Sequence, residues 1–259
     1  MNWNAISRRR FRLTSALLGL TLPGMGQIRN GELLKGLCVF ALFVMALVFG
    51  LRLAVRLPDE RLLSGVLAVL AAMLLIYLGA VAEAWVRAGR EEALSPRPYN
   101  RWYVYLTLWL ALWVGVFGTV LDYTRARILE PYRIPSASME PTVVVGDMIL
   151  ADKTYYERHS PQVGDIVIFT HQDDRSRVFM KRIAGLPGET VTLPDGAQET
   201  VPHGQVYVLG DNIDDSTDSR VFGAIPLRDL MGRMRQIYFS LGPDGIRWDR
   251  VGLVPGEAR

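Results

Sequence analysis

The run LLSGVLAVLAAMLLIYLGAVA, residues 62–82, holds 21 consecutive positions without a charged side chain. As a helix rising about 1.5 Å per residue it matches a bilayer core of about 30 Å. Toward the C-terminus, residues 102–121 form a second such run of 20 residues. Toward the N-terminus, residues 36–51 form a third of only 16. That one reaches spanning length when Lys35 and Arg52 extend toward the head groups. The spacing predicts membrane helices over 33–55, 62–84 and 102–122, within a membrane domain of residues 32–125 that follows an N-terminal segment of residues 1–31.

Within that N-terminal segment, residues 13–28 are again uncharged, but Pro23-Gly24-Met25-Gly26 interrupts them. Proline cannot continue a helix at this point, so an interfacial or re-entrant piece is expected. Together with Gln27 and Asn30-Gly31, this turn resembles that of small two-span membrane modules. Arg8-Arg9-Arg10 before an apolar run superficially fits a cleavable leader. No small-x-small cleavage site follows cleanly, so an uncleaved anchor is the expectation.

Half of the 259 residues are hydrophobic, 21% are charged, and the mean hydropathy is +0.17. These values exclude a plain soluble enzyme and a disordered chain. The pI of about 9.1 would suit a nucleic-acid binder if the charge lay on the polar half. It does not: residues 1–121 carry 13 basic and 6 acidic side chains, and residues 122–259 carry 16 and 20. The basic excess belongs to the apolar half, so a lipid bilayer is the expected partner and nucleic acid is not. Arg8, Arg9, Arg10, Arg12, Arg29 and Lys35 near the N-terminus, and Arg87, Arg90, Arg97 and Arg101 before the last run, mark cytoplasmic segments. Three crossings then put everything after Asp122 outside the cytoplasm. The lone Cys38 excludes a disulfide framework, and His159, His171 and His203 show no zinc-hydrolase spacing.

Beyond Tyr132 the pattern changes to short β-like runs: 143–145, 148–150, 165–169, 178–180, 190–193, 205–209 and 236–239. Gly146-Asp147, Gly164-Asp165, Pro187-Gly188, Asp195-Gly196 and Gly210-Asp211 punctuate them. An all-β domain over residues 126–259 is large enough for its own core.

Three stretches in that domain carry chemistry. Only three of the 29 basic residues are lysines, Lys35, Lys153 and Lys181. Lysine, unlike arginine, can lose its proton when desolvated. Lys181 follows the apolar Val178-Phe179-Met180, where an amine could be kept neutral, although most lysines are simply solvated. In Ile134-Pro135-Ser136-Ala137-Ser138-Met139-Glu140-Pro141-Thr142, two prolines bracket two serines that a rigid turn could present; an ordinary linker loop would read the same. Gly210-Asp211-Asn212 leads into Asp214-Asp215-Ser216-Thr217-Asp218-Ser219-Arg220, a polar loop without the ligand spacing of an EF-hand.

In this order, the blocks 134–153, 164–169, 180–189 and 210–223, with Ile246-Arg247-Trp248-Asp249-Arg250-Val251-Gly252, resemble the bacterial type I signal peptidase (leader peptidase) family. The resemblance spans roughly 120 residues, and five ordered blocks are far more specific than any one. It implies a membrane-anchored serine endopeptidase of the bacterial cytoplasmic (inner) membrane, multi-pass, with a β-rich catalytic domain facing the periplasm or exterior. It implies Ser138 as nucleophile, Lys181 as general base, and an oxyanion hole from the Ser138 N–H and the Ser136 hydroxyl. Ser216 would orient the amine, Asp218 and Arg220 would support the loop as an ion pair, and Tyr132, Ile134 and Met180 would line the substrate groove. Core packing is the competing reading for those three. No cofactor and no metal are implied. The partners implied are signal peptides of secretory preproteins with small residues before the cut, and contact with the export translocon. Two departures stand out: the extra N-terminal spans, and Ile213 where many members carry arginine. The short stretch between Glu189 and Gly210 implies that the large inserted second β domain of some members is missing. The rival readings are a specialised relative that matures pilin or conjugation substrates, and an inactive membrane scaffold with a degenerate peptidase domain. A self-cleaving repressor would need a DNA-binding domain in place of the spans.

Overall fold

The computed structural model describes residues 3–89, 99, 101–170, 177–194 and 196–256. Arg90, Arg97, His171 and Asp195, invoked above, lie outside the described residues. The chain divides into two compact units, one of Met1–Ala54 and Ser64–Thr124, the other of Val55–Leu63 and Arg125–Arg259.

The first unit is helical. It contains α1 (Trp3–Gly19), α2 (Met25–Arg29), α3 (Leu33–Ala54), α4 (Leu62–Arg87) and α5 (Trp102–Trp109). The last continues through a π-helical stretch, Leu110–Gly118, into α6 (Thr119–Arg127). Three segments are long and apolar enough to cross a membrane: Leu33–Ala54, Asp59–Arg87 and Trp102–Arg127. The Pro23-Gly24 interruption separates α1 from α2, and α2 is buried within the unit. Met25 and Ile28 pack with Leu22, Phe40 and Tyr105. Gln27 Nε2 donates to the Ala80 carbonyl at 2.7 Å and Asn30 Nδ2 to that of Ala84 at 2.8 Å. Gly24 has φ +95°, and a Cβ there would stand 2.0 Å from the Gly36 carbonyl oxygen. The turn therefore requires glycine on both conformational and steric grounds. Glu83, on an otherwise apolar helix, meets Lys35 and the Nε of Arg87 (2.6 Å), so its charge is paired.

The second unit is a curled antiparallel sheet with spatial order β1-β2-β9-β3-β4-β7-β8. Its strands are β1 (Leu129–Arg133), β2 (Asp147–Asp152), β3 (Ile166–Thr170), β4 (Val178–Gly185), β7 (Gln205–Leu209), β8 (Ile225–Pro226) and β9 (Leu230–Gly242). A small hairpin of β5 (Thr190–Thr192) and β6 (Gln198–Thr200) stands apart, and β10 (Gly245–Ile246) pairs with β9. Among the described residues this hairpin is all the strand structure between Glu189 and Gly204. The one-turn helices α7 (Tyr155–Arg158) and α8 (Ser219–Phe222) make the unit β-rich, not purely β.

The unbroken apolar run of β3 has a simple cause: both of its faces are buried. Ile166 and Ile168 join Ile134, Met139, Ile149 and Ile237 in one cluster, whereas Val167 and Phe169 join Ile183, Val206 and Val208 in another. The run 143–145, expected as a strand, is a turn instead. Its Val143 is buried, and the Val144 N–H is taken by the Asp147 carboxylate at 2.9 Å. A side-chain acceptor three residues ahead favours the turn over an extended ladder.

The loop Val55–Leu63, which the sequence reading assigned to the membrane domain, groups with the sheet. Arg235 of β9 is 4% exposed and donates to the carbonyls of Val55 (3.2 Å) and Leu57 (2.8 Å). Its guanidinium also meets Asp59, as does Arg233 Nη1 at 2.8 Å. The Gln236 side chain accepts from the Leu63 N–H at 2.8 Å. Polar sequence in this loop thus satisfies β9 groups that would otherwise be buried unpaired.

Candidate active site

Ser138 lies in a turn between β1 and β2. The turn is anchored by Met139, which is 1% exposed and packed in the Ile134 cluster. On each side, Ile134 N donates to the Asp147 carbonyl and Gly146 N to that of Ile134. Burying the methionine next to the serine fixes the turn while leaving the hydroxyl at a cavity wall.

Lys181 lies on β4, opposite Val167 of β3, and is 4% exposed. Its Nζ lies 2.7 Å from Ser138 Oγ, within hydrogen-bond distance. Burial pushes the lysine below its ordinary pKa, opposed by the negative charges of Asp218, Asp211 and Asp215. Ser136 Oγ is 3.5 Å from Ser138 Oγ. All three residues line a cavity of about 610 Å³ together with Tyr132, Ile134 and Met180. Tyr132 and Met180 also pack against the Ile134 cluster, so core packing and groove lining coexist at these positions. The Tyr132 hydroxyl donates to Glu130. Among the described residues, no group of three or more His, Cys, Asp or Glu side chains could hold a metal ion.

The Gly210–Arg220 loop is held by the Asp218 carboxylate. It accepts from Arg220 Nε at 2.8 Å and Nη2 at 2.9 Å, and from the Gly210 N–H at 2.9 Å. Burial alone would raise this carboxyl, but the hydrogen bonds from Arg220 and Gly210 outweigh it and hold the pKa below the usual range. Arg220 also caps the carbonyl of Ile213 at 2.8 Å. The hydroxyl of Ser216, expected to bond the lysine amine, is buried and faces the Asp218 carboxylate, whose pKa its hydrogen bond helps to hold low.

Residues 106–198 and 193–239 match the family described as "Signal peptidase, peptidase S26". The chain is 35% identical over 205 residues to "Probable signal peptidase I-2" of Synechocystis sp., covering 69% of this chain and 88% of that protein. The chain belongs to the signal peptidase family, peptidase S26. It is also 34% identical over 157 residues to "Probable signal peptidase I-1" of the same organism, covering 49% of this chain and 78% of the relative. With "Signal peptidase I" of Pseudomonas fluorescens it shares 26% identity over 208 residues, covering 50% and 73%.

Three sets of contacts in this signal peptidase family domain had no role assigned from sequence. Arg182, next to Lys181, forms a two-pronged pair with Asp211, Nε to Oδ1 at 2.8 Å and Nη2 to Oδ2 at 2.6 Å. Burial would raise the Asp211 carboxyl, but Arg182 overrides this and holds it low. Asn212 donates its backbone N–H to the Ser138 carbonyl and its side-chain Nδ2 to that of Ala137, both at 3.2 Å. One turn therefore ties the lysine strand to the serine turn. The third set explains the C-terminal block. Arg250 Nη2 reaches Asp147 Oδ2 at 2.6 Å and the Thr142 carbonyl at 3.0 Å, bracing the segment after Ser138 from behind. The signals were in view, since Arg182, Asp211, Asn212 and Arg250 all lie in the motif blocks; their pairing was not.

Proposed function

We propose that this chain is a membrane-bound signal peptidase that removes N-terminal signal peptides from exported preproteins with a serine–lysine dyad. The observation that carries the mechanism is the 2.7 Å contact of Lys181 Nζ with Ser138 Oγ at the wall of an apolar-lined cavity. Desolvation favours the neutral amine, and only that form has a lone pair to accept the serine proton. As Ser138 Oγ attacks the scissile carbonyl carbon, its proton passes to Lys181. The oxyanion takes hydrogen bonds from the Ser138 N–H and the Ser136 hydroxyl. Lys181 then gives the proton to the leaving amine, and the C–N bond breaks to leave an acyl ester on Ser138. A water, deprotonated by Lys181, attacks the ester, and the returning proton restores Ser138. Ser216 orients the amine by turning its Oγ from the Asp218 carboxylate toward the lysine through rotation about χ1. Tyr132, Ile134 and Met180 shape a groove in which an extended peptide presents small side chains, as in strand addition.

The same reading makes Leu33–Ala54, Asp59–Arg87 and Trp102–Arg127 membrane spans, with the β-rich unit outside the cytoplasm and near the export translocon. Grouping of Val55–Leu63 with Arg125–Arg259 supports an even number of crossings between them, which the second and third spans supply.

Cleavage of a reporter preprotein, with and without EDTA, tests the activity. Parent turnover should be insensitive to the chelator, and Ser138→Ala should be inert. Turnover retained by Ser138→Ala, or lost on chelation, rules out the dyad. A fusion at Arg259 of a reporter that works only outside the cytoplasm should be active; full activity of a cytoplasm-only reporter overturns the topology.

A further inference from the structure

A second site lies within the β-rich unit, away from the dyad. Val55–Leu63 and the α7–β9 surface form an open cavity of about 360 Å³, whose polar lining is Arg56, Asp59, Tyr155, Arg158, His159, Arg233 and Arg235. The charges there are arranged with a surplus. Asp59, Asp152 and Asp165 between them take Arg158, Arg233 and Arg235. No carboxylate is left over among these ion pairs, yet the wall still has Arg56, which is exposed and makes no ion pair among the described residues. His159 also lines the cavity, its ring stacked on Tyr155 at 4.5 Å between centroids and its Nδ1 3.2 Å from the Tyr155 carbonyl.

The free donors can be counted. Arg158 and Arg235 spend every guanidinium nitrogen on carbonyls, a threonine or carboxylates. Arg233 spends Nε on Asp165 and Nη1 on Asp59, and its guanidinium lies 4.7 Å above the Tyr155 ring. Among the described residues its Nη2 makes no hydrogen bond. Arg56 and Arg233 Nη2 therefore present open donors into a polar cavity whose acids are already engaged. Guanidinium forks with unspent N–H groups match the oxygens of a phosphate or phosphodiester.

The position of the cavity selects among phosphates. Arg56 lies two residues beyond Ala54, the end of α3, and Leu62 begins α4. If those helices cross the bilayer, this loop sits at the level of the lipid headgroups. We propose that the cavity binds the phosphodiester headgroup of an anionic phospholipid and so holds the peptidase unit against the membrane surface. The lipid source rests on the membrane reading above; the phosphate chemistry does not.

The test uses the full chain in a neutral maltoside detergent, titrated with short-chain phosphatidylglycerol. Short-chain phosphatidylcholine and inorganic phosphate are the comparators, and calorimetry is the readout. Arg56→Glu and His159→Ala are the variants, since neither residue braces the fold through an ion pair. Phosphatidylglycerol should bind the parent about tenfold more tightly than Arg56→Glu, the worth of one charge-assisted hydrogen bond. His159→Ala should weaken binding in the same direction, and both variants should cleave a soluble peptide normally. Equal affinity in parent and Arg56→Glu overturns the site. Phosphatidylcholine binding as well as phosphatidylglycerol overturns the anionic preference, and inorganic phosphate binding as tightly overturns the lipid source. Because the titration is done in detergent, a wrong topology would surface in the fusion experiment and leave this result unchanged.

Discussion

Gly210 faces the carbonyl of Ser138 so closely that a Cβ at position 210 would stand 2.6 Å from that oxygen and 2.1 Å from Ser216 Oγ. The Ser216 hydroxyl can rotate away; the carbonyl belongs to the backbone of Ser138 itself and is held by the Asn212 N–H. Gly210→Ala should therefore displace Ser138 relative to Lys181. A shift of about 1 Å at a reacting atom costs about a hundredfold in rate. Steady-state kinetics should show kcat falling by that order with KM little changed, and near-parent kcat would contradict the packing.

The lysine should set the acid side of the rate profile. Its folded pKa is lowered, chiefly by burial, so kcat/KM should rise with pH as Lys181 loses its proton, at a pH below the free-lysine value of about 10.4. Asp215 opposes that shift through its charge. Asp215→Asn should move the rising limb to lower pH. An unmoved or alkaline-shifted limb would remove Lys181 as the titrating base.

Replacing the lysine separates activity from stability. Lys181→Met should lower kcat by about 10²–10⁴-fold, the range for loss of a general base. Lys181→Arg should fail as well, because guanidinium stays charged. Between the lowered folded pKa and the unfolded value, the native state binds fewer protons than the unfolded one. Stability of the parent therefore rises with pH through that window, and below it the full cost of burying an ammonium is present. Lys181→Met should unfold at a higher temperature than the parent at neutral pH, with the difference shrinking as pH rises.

Asp147 and Arg250 should matter for folding. The Asp147 side chain is fully buried, and Arg250 meets it through both Nε and Nη2. Burial would raise the carboxyl, but the Arg250 contact outweighs it and the pKa is lowered. The pair's contribution is thus present above the unfolded carboxylate value and lost as pH falls through the folded one. Arg250→Leu leaves a buried carboxylate without its counter-charge and should cost about 3–5 kcal/mol in denaturant unfolding. Adding Asp147→Asn to it should recover part of the loss; no recovery would place the role of Arg250 elsewhere.

Asp59 tests the loop between the first two long helices. Removing it deprives both Arg233 and Arg235 of a carboxylate. Asp59→Ala should destabilise the β-rich unit by about 1.5–3 kcal/mol, the range for a hydrogen bond to a charged group. Unchanged unfolding would mean that the loop is a passive connection.

The sequence alone determined whatever depends on local pattern. Uncharged runs of 16, 21 and 20 residues marked the long helices, because length and hydropathy suffice for that. Ile166–Phe169 and Gln205–Leu209 were legible as strands from their apolar character. Pro23-Gly24 was legible as a break, because backbone chemistry acts within a residue or two. Ordered motifs brought Ser138, Lys181 and Ser216 into view without any contact being known. Tertiary structure decided what depends on residues distant in the chain. Lys181 lies 43 positions from Ser138, and their 2.7 Å separation exists only because β4 packs on β3 beside the serine turn. Val143–Val145 read as a strand, yet the Asp147 side chain on Val144 and the half-buried Arg250 on the Thr142 carbonyl make it a turn. The loop Val55–Leu63 carries ordinary connecting sequence, and nothing local in it announces Arg233 and Arg235, some 176 positions away. Ion pairs of that kind have no period and no spacing. They arise where folding brings two charges together out of water, and only the folded chain specifies where that is.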